Sequence, residues 1–346
     1  MRSFLKPATG LTGLLALAVT GCSPGSGTAP DAASAAPATS AAAAPAPTAA
    51  AAGSSTSYAP YVSATTAYAT DSAGSPTTYN LAFVISGGSG CTPEWNGDLA
   101  IGDPAVTSRI AALKKSGATV RVSFGGASGK ELAAVCAGAS ALAEAYGRAL
   151  DAAGSDQADF DIEGDALGDS ASVTRRSQAI ERLQRQRPQL EVTYTLPVMP
   201  DGLDADGLAL LESANTYDVQ VAAVNLMTMN YGESYTGDMA GYAVTAATSA
   251  HGQLKKVFGL SDAAAWRGMA LTSMIGVNDI AGETFTLADA TRVRAFAEEK
   301  EIAWVSMWSA FRDRRCAKGG RARDDAATEC SGVAQEQGAF GRALAG

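Results

Sequence analysis

The residues best suited to chemistry lie in one short run, Asp156-Gln157-Ala158-Asp159-Phe160-Asp161-Ile162-Glu163. In an extended strand, side chains alternate between faces. Asp159, Asp161 and Glu163 therefore share one face, and Phe160 and Ile162 the other. Packed together inside a fold, three acids repel one another and lose hydration, so at least one should hold its proton near neutral pH. A carboxyl group in that state can act as a general acid. A calcium loop is the competing reading. It would place oxygen ligands around a central glycine and end on a glutamate at position twelve, and this run has neither feature.

Other chemistries are restricted by what the chain lacks. It contains one histidine, His251. Serine–histidine and cysteine–histidine catalysis need a histidine held by a partner, and most zinc sites need more than one. His251 lies in Ser249-Ala250-His251-Gly252-Gln253, read as a solvated surface turn of a helix. No metal or other cofactor is expected. The net charge of -9 argues against nucleic-acid binding, which requires clustered Lys and Arg. An acidic chain with few charges suits a neutral substrate.

The elements that must position the acids follow a regular alternation. Candidate strands are 59–65, 79–86, 119–124, 158–162, 191–197, 221–229, 268–275 and 304–309. Amphipathic stretches at 106–116, 131–152, 172–186, 204–213, 239–258 and 287–300 lie between them. Several strands are apolar almost throughout, as expected where both faces are covered. Eight strands alternating with helices predict an α/β fold of the (β/α)₈ TIM-barrel type. A doubly wound sheet is the alternative, weakened by the lack of a glycine-rich phosphate loop. In a barrel the active site forms at the C-terminal ends of the strands. Gly87-Gly88, Ser123-Phe124-Gly125-Gly126, Glu163, Asn230-Tyr231-Gly232 and Trp308 all fall at such ends.

Before the barrel, residues 1–22 read as an export signal. Arg2 and Lys6 give a basic start, and residues 11–20 an apolar segment too short to span a bilayer. The segment ends in Val19-Thr20-Gly21-Cys22, which resembles a bacterial lipobox with Cys22 as the lipidated residue. An ordinary signal peptide cut near Gly21 is the alternative, leaving a secreted protein. Residues 23–57, almost entirely Ala, Pro, Ser, Thr and Gly, predict a flexible tether. Residues 58–346 form the catalytic domain. Membrane contact is expected only through the lipid anchor, and a monomer is expected. Four cysteines remain, an even number in an exported chain. Pairing those nearest in sequence joins Cys91 to Cys136 and Cys316 to Cys330, and two other connectivities are possible.

Asp156-x-x-Asp159-x-Asp161-x-Glu163 resembles, position by position, the DxxDxDxE signature of glycoside hydrolase family 18, the chitinases and their relatives. Ser123-Phe124-Gly125-Gly126 resembles the family's SxGG motif. Val224 to Gly232, Ser273 to Asp279, Ser306-Met307-Trp308-Ser309 and Arg312-Asp313 follow its bacterial chitinase branch. The resemblance runs from about Tyr58 to Gly346. It implies substrate-assisted retaining hydrolysis of chitin or chito-oligosaccharides, with Glu163 as acid. Asp161 would bind the substrate's acetamido N–H and stabilise charge, and Asp159 would share a proton with Asp161 and tune it. Asp156 is expected to be structural. Trp308 would floor the -1 subsite, and Asn230, Tyr231, Met227, Met229, Gly125 and Gly126 would contribute to substrate binding. The family usually has Asp where this chain has Asn230, and Ser273, Val277 and Phe311 also depart from the pattern.

Three tryptophans remain. Trp95 is either an exposed sugar platform or a residue packed under the Cys91 bridge, Trp304 is a core candidate, and Trp266 a helix-packing residue. The functional alternatives are an endo-β-N-acetylglucosaminidase acting on N-linked glycans and a non-catalytic sugar-binding barrel. No separate chitin-binding module is visible, which favours action on soluble or nearby oligomers.

Overall fold

The computed structural model describes residues 56–88, 90–317 and 329–346. The expected export signal, Cys22 and nearly all of the tether lie outside the described residues. The barrel strands are β1 (Tyr61–Ser63), β2 (Thr78–Ser86), β3 (Thr119–Gly125) and β4 (Gln157–Asp161). They continue with β5 (Glu191–Pro197), β6 (Val221–Met227), β7 (Met269–Met274) and β8 (Trp304–Trp308). Neighbours from β1 through β6 pair in parallel in chain order, as do β6 with β7 and β7 with β8. The chain closes the barrel by splitting its first strand. Ser57–Tyr58 pairs with Trp304 and Val305 of β8, whereas Tyr61–Ser63 pairs with Asn80 to Ala82 of β2. Pro60, which has no N–H to donate, sits between the two pieces and accepts from the Asn80 N–H instead. The expected (β/α)₈ barrel is thus present.

Alternation along each strand sorts the side chains. Val122, Phe124, Phe160, Tyr194 and Leu196 face the surrounding helices and are fully buried. Phe124 stacks on Phe160 at 5.3 Å, with Tyr146 of the helix Ala139–Ala153 edge-on at 5.0 Å to Phe160. The opposite faces fill the lumen. At its closed end Trp304 lies among Ala59, Ala223 and Ala270, with the Arg121 guanidinium 4.2 Å from the indole centre. Trp304 is therefore a core residue, as expected from the sequence.

The helices begin where the sequence supplies caps. Asp169 accepts the Ala171 and Ser172 N–H groups before Ser170–Gln186, and Asp238 accepts from Gly241 before Met239–Phe258. Two short helices, Asp262–Arg267 and Ala339–Ala345, were not anticipated, because neither is long enough to show a period. His251 corrects another expectation. It is buried on Met239–Phe258, where its ring stacks on Trp266 at 4.0 Å and its Nε2 lies 3.0 Å from the Asp262 carbonyl oxygen. Ala247 and Ala250 are buried on the same helix, and Trp266 of the adjacent Asp262–Arg267 helix covers the ring. Trp266 is a helix-packing residue, as expected.

Candidate active site

Strand β4 delivers the acids in depth order. Asp159 is fully enclosed and held by hydroxyls from three other strands, its two neighbours β3 and β5 and, across the lumen, β1. Tyr61 donates to Oδ2 at 2.8 Å, Ser123 to the same oxygen at 2.5 Å, and Thr195 to Oδ1 at 2.6 Å. Behind them Asn225 donates to Thr195 at 2.9 Å and accepts from Thr272 at 2.9 Å. Six strands are thereby linked through side chains that only a closed lumen could bring together. Burial raises the proton affinity of Asp159, while the Ser123, Thr195 and Tyr61 hydroxyls and the charge of Arg121 lower it.

Asp161 has no such support. Its Oδ1 is buried without a hydrogen-bond partner among the described residues. Burial, then the charges of Glu163 and Asp159, push its carboxyl well above the usual range. Hydroxyl donors occupy both oxygens of Asp159, and no hydrogen bond joins Asp159 to Asp161 among the described residues. At the rim Glu163 is half-buried, and burial followed by the charge of Asp279 raises its carboxyl to about 7. A group with that proton affinity can both give and take a proton near neutral pH. Asp156 is exposed just before β4, where its carbonyl accepts the Glu191 N–H, a structural position.

Glu163 and Asp161 open into a cavity of about 450 Å³. Trp308 lines it, with Phe83 stacked against the indole at 5.5 Å and Tyr61 edge-on at 5.9 Å. Phe311 meets Trp308 edge-on at 5.5 Å and passes the aromatic surface on to Tyr68 at 5.6 Å. A broad apolar wall facing two carboxyl groups suits a pyranose ring, which is apolar on its face and polar at its edge. Met227, Met229 and Asn230 also line the cavity, as the sequence suggested.

Four expected binding residues do not line it. Trp95 is fully buried in a short strand, Pro93–Trp95, antiparallel to β2, and donates from Nε1 to the Ile101 carbonyl at 3.3 Å. The platform reading is thereby excluded. Tyr231 is buried beside Tyr235 and Tyr242, turned away by the left-handed backbone at Asn230, φ 55°. Gly125 and Gly126 act through close approach. A Cβ on Gly125 would lie 2.1 Å from the Asp161 carbonyl oxygen, and one on Gly126 2.9 Å from the Phe83 ring. Both bridges form in the nearest-neighbour pairing, Cys91–Cys136 and Cys316–Cys330. Phe83, Tyr61, Tyr68 and Asp279 were missed. Tyr61 had a readable signal, being a polar-tipped aromatic on a predicted strand. Arg312 and Asp313 prove structural. Arg312 donates to the Ile275 and Val277 carbonyls at 3.0 and 2.7 Å, and Asp313 accepts the Phe340 and Gly341 N–H groups at 3.0 and 2.7 Å.

Comparison with known proteins carries this geometry further. No family model matches the chain. Over 275 residues, 74% of its length, the chain is 35% identical to a probable bifunctional chitinase/lysozyme of Escherichia coli (strain K12), covering 31% of that protein. Over 274 residues it is 35% identical to endochitinase 11 of Metarhizium anisopliae, covering 52% of it. It thus spans about a third of the length of the first relative and about half of the second. The catalytic domain of a hyperthermophilic chitinase from Pyrococcus furiosus superposes with a TM-score of 0.73 at 28% identity, covering 83% of this chain and 93% of that one. The chain belongs to glycoside hydrolase family 18. A Streptomyces coelicolor protein described as a putative chitinase A, at 13% identity and a TM-score of 0.52, shares the fold. The three acids that the DxxDxDxE resemblance points to lie together along β4 and its end.

The hydroxyl cage can be tested on its own. Thr195→Val keeps the side-chain shape but removes the donor to Asp159 Oδ1. The expected cost is about 1–3 kcal/mol, read as a fall of several degrees in Tm at neutral pH. An unchanged Tm would show that the bond contributes nothing.

Proposed function

We propose that the chain is a retaining chitinase, hydrolysing β-1,4-linked N-acetylglucosamine polymers or oligomers with the help of the substrate's own acetamido group. One observation carries the reading. Glu163, its proton affinity raised to about 7, stands over the buried, unpartnered Asp161 at the mouth of a cavity walled by Trp308. The relatives point the same way, and catalytic-site mutants of active domain 2 of the Pyrococcus furiosus chitinase have been crystallised with chito-oligosaccharides.

The chemistry follows from these positions. Glu163 gives its proton to the glycosidic oxygen as the C1–O bond breaks. The acetamido carbonyl oxygen of the -1 sugar forms a bond to C1, giving an oxazolinium ion. Asp161 in its ionised form accepts the acetamido N–H and stabilises the cation in a site of low polarity, and the developing positive charge favours that form against burial. A water oxygen then attacks C1, the Glu163 carboxylate takes the water's proton, and the ring opens with the anomeric configuration retained. Asp159, fixed by its three hydroxyls, contributes a constant negative field behind Asp161. Sugars without an N-acyl group at C2 cannot supply the nucleophile.

We further propose export and tethering through Cys22. The basic residues Arg2 and Lys6, the apolar run before Cys22 and the Ala/Pro-rich segment after it support that placement. Labelled palmitate should enter the full-length chain in a bacterial host and be absent from Cys22→Ala; equal labelling of both would remove the anchor.

The function is tested by digesting chito-oligosaccharides and a high-mannose glycoprotein in parallel. Wild type should cleave the oligosaccharides, with a rate that falls as pH rises through about 7, because Glu163 must be protonated. Glu163→Gln should lose about 10²-fold or more. Unchanged turnover by Glu163→Gln would overturn the assignment, and cleavage of the glycoprotein alone would reassign the substrate to N-linked glycans.

A further inference from the structure

Glu283 is a buried acid outside the cavity lining that the mechanism above does not use. It belongs to the excursion after β7, just before the short strand Thr284–Phe285, which pairs with Gly276–Val277. Its Oε1 accepts the Gly232 N–H at 2.8 Å, while its Oε2 is buried without a hydrogen-bond partner among the described residues. Burial raises its proton affinity, and the Gly232, Asn230 and Tyr231 N–H groups act against that. These three successive backbone groups turn toward it because Asn230 is left-handed and Gly232 has φ 125°. Such a concavity of N–H groups is an anion site, and here the protein fills it with its own carboxylate.

The contact is answered from the other side. Asn230 Oδ1 accepts the Asp279 N–H at 3.2 Å, so each loop supplies an acceptor to the other's backbone. The root of the Asp279 loop is fixed by Asn278, which donates to the Met274 and Gly276 carbonyls at 2.8 and 3.0 Å. The Asn278 N–H also bonds to the Glu283 carbonyl at 3.1 Å. Asp279 itself lines the cavity with Glu163. We propose that Glu283 is a positioning residue, which plugs the loop after β6 and, through Asn230, holds Asp279 against the acid Glu163.

This assignment rests on the chitinase reading and explains what Asn230 does where the family usually has Asp. A carboxylate at 230 would add a negative charge beside Asp279, whereas the amide oxygen can still hold its N–H. The charged groups around Glu163 are Asp161, with Asp159 deeper on β4, and Asp279, which in turn lies in the field of Arg312. Of these, only Asp279 is placed by the clamp. The charge of Asp279 raises the proton affinity of Glu163, so releasing the loop should lower it.

The test is kcat/KM against pH on a fluorogenic chito-oligosaccharide for wild type, Glu283→Ala, Asn230→Ala, Asp279→Asn and the double variant Glu283→Ala/Asp279→Asn. The alkaline limb should move to lower pH by about half a unit or more in each single variant. The double variant should move no further than Asp279→Asn alone. Glu283→Gln, which keeps an acceptor for Gly232, should move less than Glu283→Ala. A residue that served stability alone would lower Tm and depress activity equally at every pH. If Glu283→Ala does not fold, Asn230→Ala, which cuts only the second contact, carries the test. Unmoved limbs in Glu283→Ala and Asn230→Ala, or additive shifts in the double variant, would overturn the proposal. A wild type without turnover would instead overturn the functional reading.

Discussion

Placing an ionised Asp159 in the barrel lumen costs several kcal/mol unless its oxygens are fully served by donors. The protein meets that requirement with Tyr61, Ser123 and Thr195, and much of the molecule's organisation follows. Tyr61 belongs to the strand that closes the barrel, so closure and the caging of the acid are one event. Thr195 must point inward, which fixes the register of β5 against β4. With Asp159 saturated, Asp161 is left bare beside two negative charges. That imbalance within one strand separates a fixed charge from a group free to meet a substrate.

The rim is built by different means. Loops after β6, β7 and β8 are held by polar contacts to backbone as well as by aromatic packing such as Tyr231 against Tyr242 and Phe285 against Phe340. Arg312 grips the Ile275 and Val277 carbonyls, Asp313 fastens Ala339–Ala345, and Glu283 plugs the backbone at Gly232. Each ion acts on main-chain groups, so the loops keep their shape while the cavity side chains remain available. Glycine enters where two backbones must nearly touch, as at Gly125 against Asp161.

Period-two alternation read β4 correctly and, with it, the lumen face and the open end of the barrel. The same rule works only while registry holds. Between Leu81 and Val84 the pairing of β2 with β3 shifts, so that Ala82 and Phe83 both face the cavity, and alternation could not have found Phe83. Trp95 stays open between two readings in the sequence for a related reason, since a loop position says nothing of a local hairpin that folds it inward. His251 and Tyr231 depend on neighbours distant in the chain or on a left-handed turn. The motif stretch ending at Asp279 was recognised, but its contact with Asn230 needs the spatial meeting of two loops.

The claim that most needs testing is that the nucleophile comes from the substrate, with Glu163 and Asp161 acting on one face of the sugar. Time-resolved proton NMR of chitotetraose hydrolysis reads it directly, before mutarotation mixes the anomers. The β-anomer should appear first, and a de-N-acetylated residue in the -1 subsite should stop cleavage. An initial α-anomer, or cleavage that proceeds without the acetamido group, would contradict it.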